Sequence, residues 1–422
     1  MAEWVVGALL TGVLVVLLVV CLAPARGLVQ ASAGLVGVGV VVTTSSLSSD
    51  EFRASLDRVL PVVLFLCASL VVAEACRAEG IFDALGGLIH DRAGTSGRRL
   101  VTLGFLLAAA VTVVLSLDAT VVLLTPVLIV AGGAGQVRRP LAYLCVRLAN
   151  SASLLLPVSN LTNLLALPRV DLSFLGWIVA MAPVWGAVLV VEYAGMRWAF
   201  RREIAAPVVA TDAGVRPLRR VPLVVLGLML VGFAGASPLG VEPWVVAIAA
   251  AGALVVLARR DLCWTKAVQA AQLPFGVFVL CLAVVVAALG EAYLTDVVGH
   301  LVPDSTGFSA GFWALLGIAV LATALANLVN NLPATLVVLP LVAPLGATAV
   351  FAALIGLNVG AGLTYPGSLA NLLWRRAVVH AGESPRGFHA YALVVTPVAL
   401  LAGVVALALC GDGILVLLHG ST

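Results

Sequence analysis

The chain has 422 residues, 62% of them hydrophobic and 10% charged, where a soluble domain carries about a quarter charged. That composition excludes a water-soluble fold. Its formal charge of +3 comes from arginines gathered in a few loops, so it bears on membrane topology rather than on a ligand, and no nucleic-acid partner is expected.

Apolar runs long enough to cross a roughly 30 Å hydrocarbon core recur from Trp4 to Leu418. The first segment, MAEWVVGALL, holds Glu3 and no basic residue ahead of its apolar run, which argues for a retained helix rather than a cleaved signal. Further runs fall at 4–22, 27–43, 60–78, 100–132, 140–168 and 174–196, and a basic stretch follows from Arg197 to Arg220. The pattern then returns at 221–236, 242–258, 273–290, 308–350, 352–378 and 388–418. This divides the chain into a first membrane repeat (1–196), a cytoplasmic basic linker (197–220) and a second membrane repeat (221–422).

Residues 60–88 align without gaps to 273–301, with Pro61 on Pro274, Phe65 on Phe278 and Asp83 on Asp296 at a constant offset of 213. Ala119-Thr120 matches Ala334-Thr335 at offset 215, and Pro157-x-Ser159 matches Pro366-x-Ser368 at offset 209. Residues 100–132 would reach about 50 Å as one helix and are interrupted by Ser116-Leu-Asp118-Ala-Thr120, which predicts a re-entrant hairpin. Residues 140–168 are interrupted between Asn150 and Asn163, which predicts a helix broken at membrane depth. A non-crossing hairpin leaves five crossings per half, and an odd number inserts the second half upside down. The expected fold is therefore an all-α polytopic membrane protein of two inverted repeats. Arginine counts place the linker inside the cell, together with loops around Arg26, Arg77, Arg92, Arg98, Arg99, Arg138, Arg139, Arg259, Arg260, Lys266, Arg375, Arg376 and Arg386. The segments near Glu242 and from Glu291 to Asp304 hold no Lys or Arg, so both termini are expected outside a plasma membrane.

Unwound backbone in a bilayer is tolerated only where protein or a water-filled cavity satisfies it, so the four breaks should converge on one site. Their polar residues are the candidate binding set: Ser116, Thr120, Asn150, Ser151, Ser159, Asn160, Thr162 and Asn163 in the first half. The second half adds Asn327, Asn330, Asn331, Thr335, Asn358, Thr364, Ser368 and Asn371. Carboxamides and hydroxyls offer donors and acceptors with little net charge, which suits a small polar solute or a weakly held cation. Asp118 has no route to the interface from a hairpin tip, so it is the candidate for binding and releasing a coupled proton. Glu74 and Glu192 lie near helix ends, where they can snorkel or pair with Arg77 and Arg197; Arg147 can snorkel or approach Asp118 as a counter-ion.

The motifs LDATVVLLTP (117–126), SASLLLPVSNLTNLL (151–165), NLVNNLPATLVVLPL (327–341) and GLNVGAGLTYPGSLANLLW (356–374) resemble those of the arsenite/antimonite efflux permeases. These are the arsenical pump membrane proteins of the ion transporter superfamily. The resemblance implies an antiporter that exports As(OH)₃ or Sb(OH)₃ against protons, in some members with a soluble ATPase subunit. The superfamily also includes sodium/proton antiporters and small-anion carriers. The pump family often reads GPxxTPxGS where this chain has GAGLTYPGS, so Ala361 and Tyr365 are departures. The single lysine, Lys266, follows no Gly-rich loop, and HExxH, DDxxD and GxSxG are absent, so neither an ATPase site nor a hydrolytic enzyme is expected. The seven cysteines show no CxxC spacing, and neither a metal nor another cofactor is expected.

Overall fold

A computed structural model describes residues 3–22, 27–133, 135–208, 217–236, 239–257, 262–289 and 311–419. Arg26, Arg216, Arg259, Arg260, the segment from Glu291 to Asp304 and Thr422, on which part of the charge reading rests, lie outside them. The described residues are helical, with one isolated bridge, Ser96 to Pro207, in place of any sheet.

The first half runs through helices Glu3–Leu22, Gly27–Thr43 and Ser49–Ala78. Ser48 opens the third with a capping box, its side chain accepting from the Glu51 amide while Glu51 reaches back. An amphipathic helix, Ile81–Ala93, then fills what the apolar pattern leaves as a loop, pinned by a 2.8 Å hydrogen bond between His90 Nδ1 and the Ala131 carbonyl. Next come the helical hairpin, Gly97–Val114 with Ala119–Leu124 and Thr125–Ala131, the broken helix, Arg138–Ser151 with Leu161–Val170, and Phe174–Ala199. The second half repeats that order: Arg220–Ala236, Pro243–Leu257, Leu273–Leu289, the hairpin Phe312–Val329 with Asn331–Val342, the broken helix Ala347–Asn358 with Leu369–His380, and Phe388–His419. The run at 273–290 carries an additional short helix ahead of it, Trp264–Ala270, separated by Gln272 at φ +48°.

No half-helix crosses alone. The longest, Arg138–Ser151, has 14 residues and spans about 21 Å of a roughly 30 Å core. The halves pack through each other rather than side by side. Gly27–Thr43 lies on Leu273–Leu289, Ser49–Ala78 on Pro243–Leu257, and Phe174–Ala199 on Phe388–His419. Small residues permit these approaches: a Cβ on Gly34 would stand 2.8 Å from the Cys281 Cβ, and one on Gly195 would stand 2.8 Å from a Val395 methyl. Hairpins and broken helices fill the space enclosed by these pairs, and their polar breaks meet there.

Candidate functional site

Each broken helix restarts on the same geometry. Asn160 (φ −150°, ψ 142°) and Ser368 (φ −145°, ψ 144°) are extended N-caps whose side chains accept from the amides of Thr162 and Ala370, both at 3.2 Å. Asn163 Nδ2 then reaches back to the carbonyls of Ser153 (2.7 Å) and Leu156 (3.0 Å), and Asn371 Nδ2 to those of Ala361 (2.9 Å) and Thr364 (2.7 Å). One carboxamide thus takes up two carbonyls that unwinding leaves free. The halves also exchange partners: Asn150 Nδ2 donates to Asn371 Oδ1 at 2.8 Å, and Asn358 Nδ2 to Asn163 Oδ1 at 3.0 Å. Asn150 with Asn358, Asn160 with Ser368, and Asn163 with Asn371 all lie 208 apart in sequence, one less than the proline match at these breaks gives.

The hairpin tips dock against these breaks. In the second half Asn330 sits at φ +81°, ψ 150°, a strained conformation outside the left-handed helical region and otherwise almost confined to glycine, and Asn330 Nδ2 donates to the Pro366 carbonyl at 3.0 Å. The Asn331 amide donates to Gly367 at 2.9 Å, and Asn327 bridges Gly360 and Thr364. In the first half Ser159 Oγ donates to the Val113 carbonyl at 3.2 Å, and the chain turns through Ser116 to Asp118 into a π-helical segment, Ala119–Leu124. Such π turns concentrate at functional sites.

A cavity of about 60 Å³ lies where the four breaks meet, walled by Ser116, Asp118, Ser159, Asn160, Thr162, Asn330, Asn331 and Ser368, with Phe65 and Phe275 among its apolar surfaces. Asp118 and Phe275 also line a vestibule of about 420 Å³ that reaches Glu74, Gln272 and Arg376. Asp118 is thus a shared wall. Its carboxylate makes no hydrogen bond or ion pair with any described residue, whereas Glu74 is held by Arg77 at 2.7 Å. A third recess, of about 350 Å³, lies between Ser49–Ala78 and the second hairpin's return arm and is lined by Arg58 and Arg169.

The remaining predicted residues lie outside the cavity, hydrogen-bonded to the protein. Asn150, Asn163, Asn358 and Asn371 form the crossed pairs; Asn327 and Thr364 bind each other; Thr120 bonds Thr112; Thr335 donates to the Asn331 carbonyl. Ser151 donates to Glu192 at 2.7 Å. Arg147 neither snorkels nor approaches Asp118: it forms a two-armed ion pair with Glu192, at 3.0 and 2.6 Å, both side chains fully buried. Glu192 accordingly pairs inward instead of with Arg197. Tyr365 stacks on Phe388 and donates to the Pro385 carbonyl, so this departure faces the scaffold, and Ala361 offers its carbonyl to Asn371. Neither lines the cavity.

Sequence reasoning passed over Trp177 and Trp185, whose indole N–H groups donate to the break carbonyls of Leu154 (3.3 Å) and Ala152 (3.1 Å). The available signal was two indoles in one apolar span, each with a donor to place.

An all-helical array of apolar spans, with paired unwound helices whose polar breaks meet at one cavity, is the architecture of a multi-pass membrane transporter. Residues 3–360 match the family described as Citrate transporter (CitMHS), and the chain belongs to it. It is 31% identical over 335 residues to the arsenical pump membrane protein of Escherichia coli K12, covering 73% of this chain and 76% of that one, which agrees with the resemblance read from the motifs. It is 29% identical over 381 residues to the E. coli inner membrane protein YbiR, covering 88% and 93%. The fold is shared with the YdaH transporter of Alcanivorax borkumensis, whose crystal structure has a TM-score of 0.55 at 17% identity, over 87% of this chain and 90% of that one.

Proposed function

We propose that this secondary transporter exports trivalent arsenite or antimonite, as neutral hydroxides, in exchange for protons across the plasma membrane. The observation that carries the reading is Asp118, a carboxylate without a partner among the described residues, on the wall shared by a small cavity bordered by hydroxyls and carboxamides and a larger vestibule. Among the described residues no cysteine lines the cavity, so in this reading a trivalent metalloid there is held by hydrogen bonds to its hydroxyls rather than by thiolates, and it can leave again. A volume of about 60 Å³ suits a solute of a few heavy atoms. In this reading Ser116, Ser159, Asn160, Thr162, Asn330, Asn331 and Ser368 contact the solute, and the asparagines behind them keep the breaks in shape. Exchange of one proton for a neutral solute draws about 2.3 kcal/mol per 100 mV, a gradient of roughly fifty-fold.

Two inverted repeats with re-entrant hairpins, a cytoplasmic 197–220 linker and external termini complete the proposal. A reporter after Arg202 should read inside, and one after Thr422 outside. The test of substrate is arsenite and antimonite sensitivity in a host lacking its own pump, followed by uptake into everted vesicles with an imposed pH gradient. Sensitivity equal to the empty host rejects the metalloid reading.

A small-anion carrier is the second reading, favoured by Arg58 and Arg169 on the far recess, Arg376 in the vestibule and the description of the matched family. Citrate uptake without metalloid transport in the same vesicles would select it.

A further inference from the structure

We infer that Arg147 is a positioning residue for the second-half break: paired with Glu192, it holds the Gly362 carbonyl and with it the unwound segment that ends in Ser368, a wall of the central cavity. Only the kinetic part of the test rests on the transport reading above.

Arg147 and Glu192 are 2% and 1% exposed. Burying an ion pair is costly unless its remaining donors and acceptors are also satisfied, and here they are placed with purpose. Nε and Nη2 occupy Glu192, at 3.0 and 2.6 Å, and Ser151 adds a third donor to that carboxylate at 2.7 Å. Nη1 is not needed for the pair. It points instead to the Gly362 carbonyl at 3.2 Å and to Thr396 Oγ1 at 2.8 Å. Four segments therefore meet at one guanidinium: the first broken helix, Phe174–Ala199, the second break and the last helix.

Six other carbonyls of the second break are taken up within its own half: Gly360 by Asn327, Ala361 and Thr364 by Asn371, Leu363 by His389, Pro366 by Asn330, and Gly367 by the Asn331 amide. Among the described residues, Gly362 alone is held by a first-half side chain. The fit is also steric, since a Cβ on Gly362 would stand 2.7 Å from Arg147 Nη1, so even alanine must displace the guanidinium. A pair that served packing alone would need neither the third arm nor the bare glycine.

Arg147→Lys keeps the charge opposite Glu192 but loses the planar fork that reaches carboxylate and carbonyl together. The experiment places a cysteine at Ser368 and follows its modification by a small hydrophilic methanethiosulfonate in membranes, read by peptide mass at position 368. Expected is a rise of at least fivefold in rate for Arg147→Lys, and a similar rise for Gly362→Ala, which reaches the same contact from the other side. Metalloid uptake by Arg147→Lys should show a half-saturation raised about tenfold with a maximal rate within twofold of wild type. An unchanged rate at position 368 in both variants overturns the inference. If Arg147→Lys does not accumulate in the membrane, Gly362→Ala and the charge-free pair Arg147→Gln/Glu192→Gln carry the same measurement, with the same two outcomes. A chain that moves no metalloid still reports through the thiol, so failure of the substrate reading is distinguishable from failure of this one.

Discussion

The first unwound segment gives the Ala152 and Leu154 carbonyls to the indoles of Trp185 and Trp177, neutral donors on the next helix of the same half. The second gives its Gly362 carbonyl to a guanidinium from the opposite half, balanced by a buried carboxylate. The asparagine framework around both is the same to within a few tenths of an ångström, and the N-caps share one backbone conformation. The hairpins differ in the same sense, with Asp118 at the first tip and Asn330 and Asn331 at the second. The two breaks thus share a scaffold, while the ionisable groups around them are distributed unequally. On the proposed mechanism that asymmetry matters, because a titratable group placed once can report one event.

The largest effect should come from erasing the difference between the hairpins. Asp118→Asn keeps the shape and hydrogen-bonding capacity of the tip while removing titration, so proton-driven export should fall to background with the protein still present in the membrane. Asp118→Glu should retain partial activity at a shifted pH optimum. Export by the Asn variant at the wild-type rate, in vesicles with an imposed pH gradient, would remove Asp118 from the coupling step and leave it a polar wall of the cavity.

Next in size is the charge that distinguishes the second break. Glu192→Gln leaves Arg147 buried without its counter-charge, and loss of one partner from such a pair costs about 3–5 kcal/mol. The folded fraction in detergent and the membrane abundance should both drop steeply, and Arg147→Gln/Glu192→Gln should recover much of the loss. A single variant that melts with the wild type would show that water reaches the pair.

The crossed asparagines test the part that the halves share. Asn163→Ala and Asn371→Ala each free two break carbonyls and one cross-half partner, at about 1–3 kcal/mol for each buried group left unpaired. Their melting shifts should agree within experimental error. A large difference would mean that matching geometry hides unequal loads.

How far the sequence carried these assignments follows from what leaves a local mark. The breaks were legible because asparagine, serine and proline interrupt runs too long for one crossing, and the order of helices on either side of 197–220 because apolar runs and proline positions recur at near-constant offsets. Asp118 stood out because a hairpin tip gives a carboxylate no exit, and it lies on the cavity wall. The partition of the polar set was not. Asn160 and Asn163 are three residues apart in the same motif, yet one lines the cavity and the other faces backbone, a distinction made by helix phase after an unwound stretch of unpredictable length. Arg147 and Glu192 are 45 residues apart on different helices, and nothing local signals that they meet. The helix Ile81–Ala93 was hidden because its apolar stripe is short and amphipathic, not spanning.

The smallest effect, and the sharpest contrast between the breaks, belongs to the indoles. Trp185→Phe and Trp177→Phe keep most of the aromatic volume and remove one N–H donor each, so each should cost about 1 kcal/mol, somewhat more for the fully buried Trp177. Because these donors serve the first break alone, their loss should loosen the cap at Asn160 and leave Ser368 protected. With single cysteines at 160 and 368, Trp185→Phe should raise the modification rate at 160 by a few-fold and leave that at 368 unchanged, the reverse of what Arg147→Lys should do. Equal changes at both positions in either variant would mean that the two breaks move as one body, and that the difference in how they are held has no mechanical consequence.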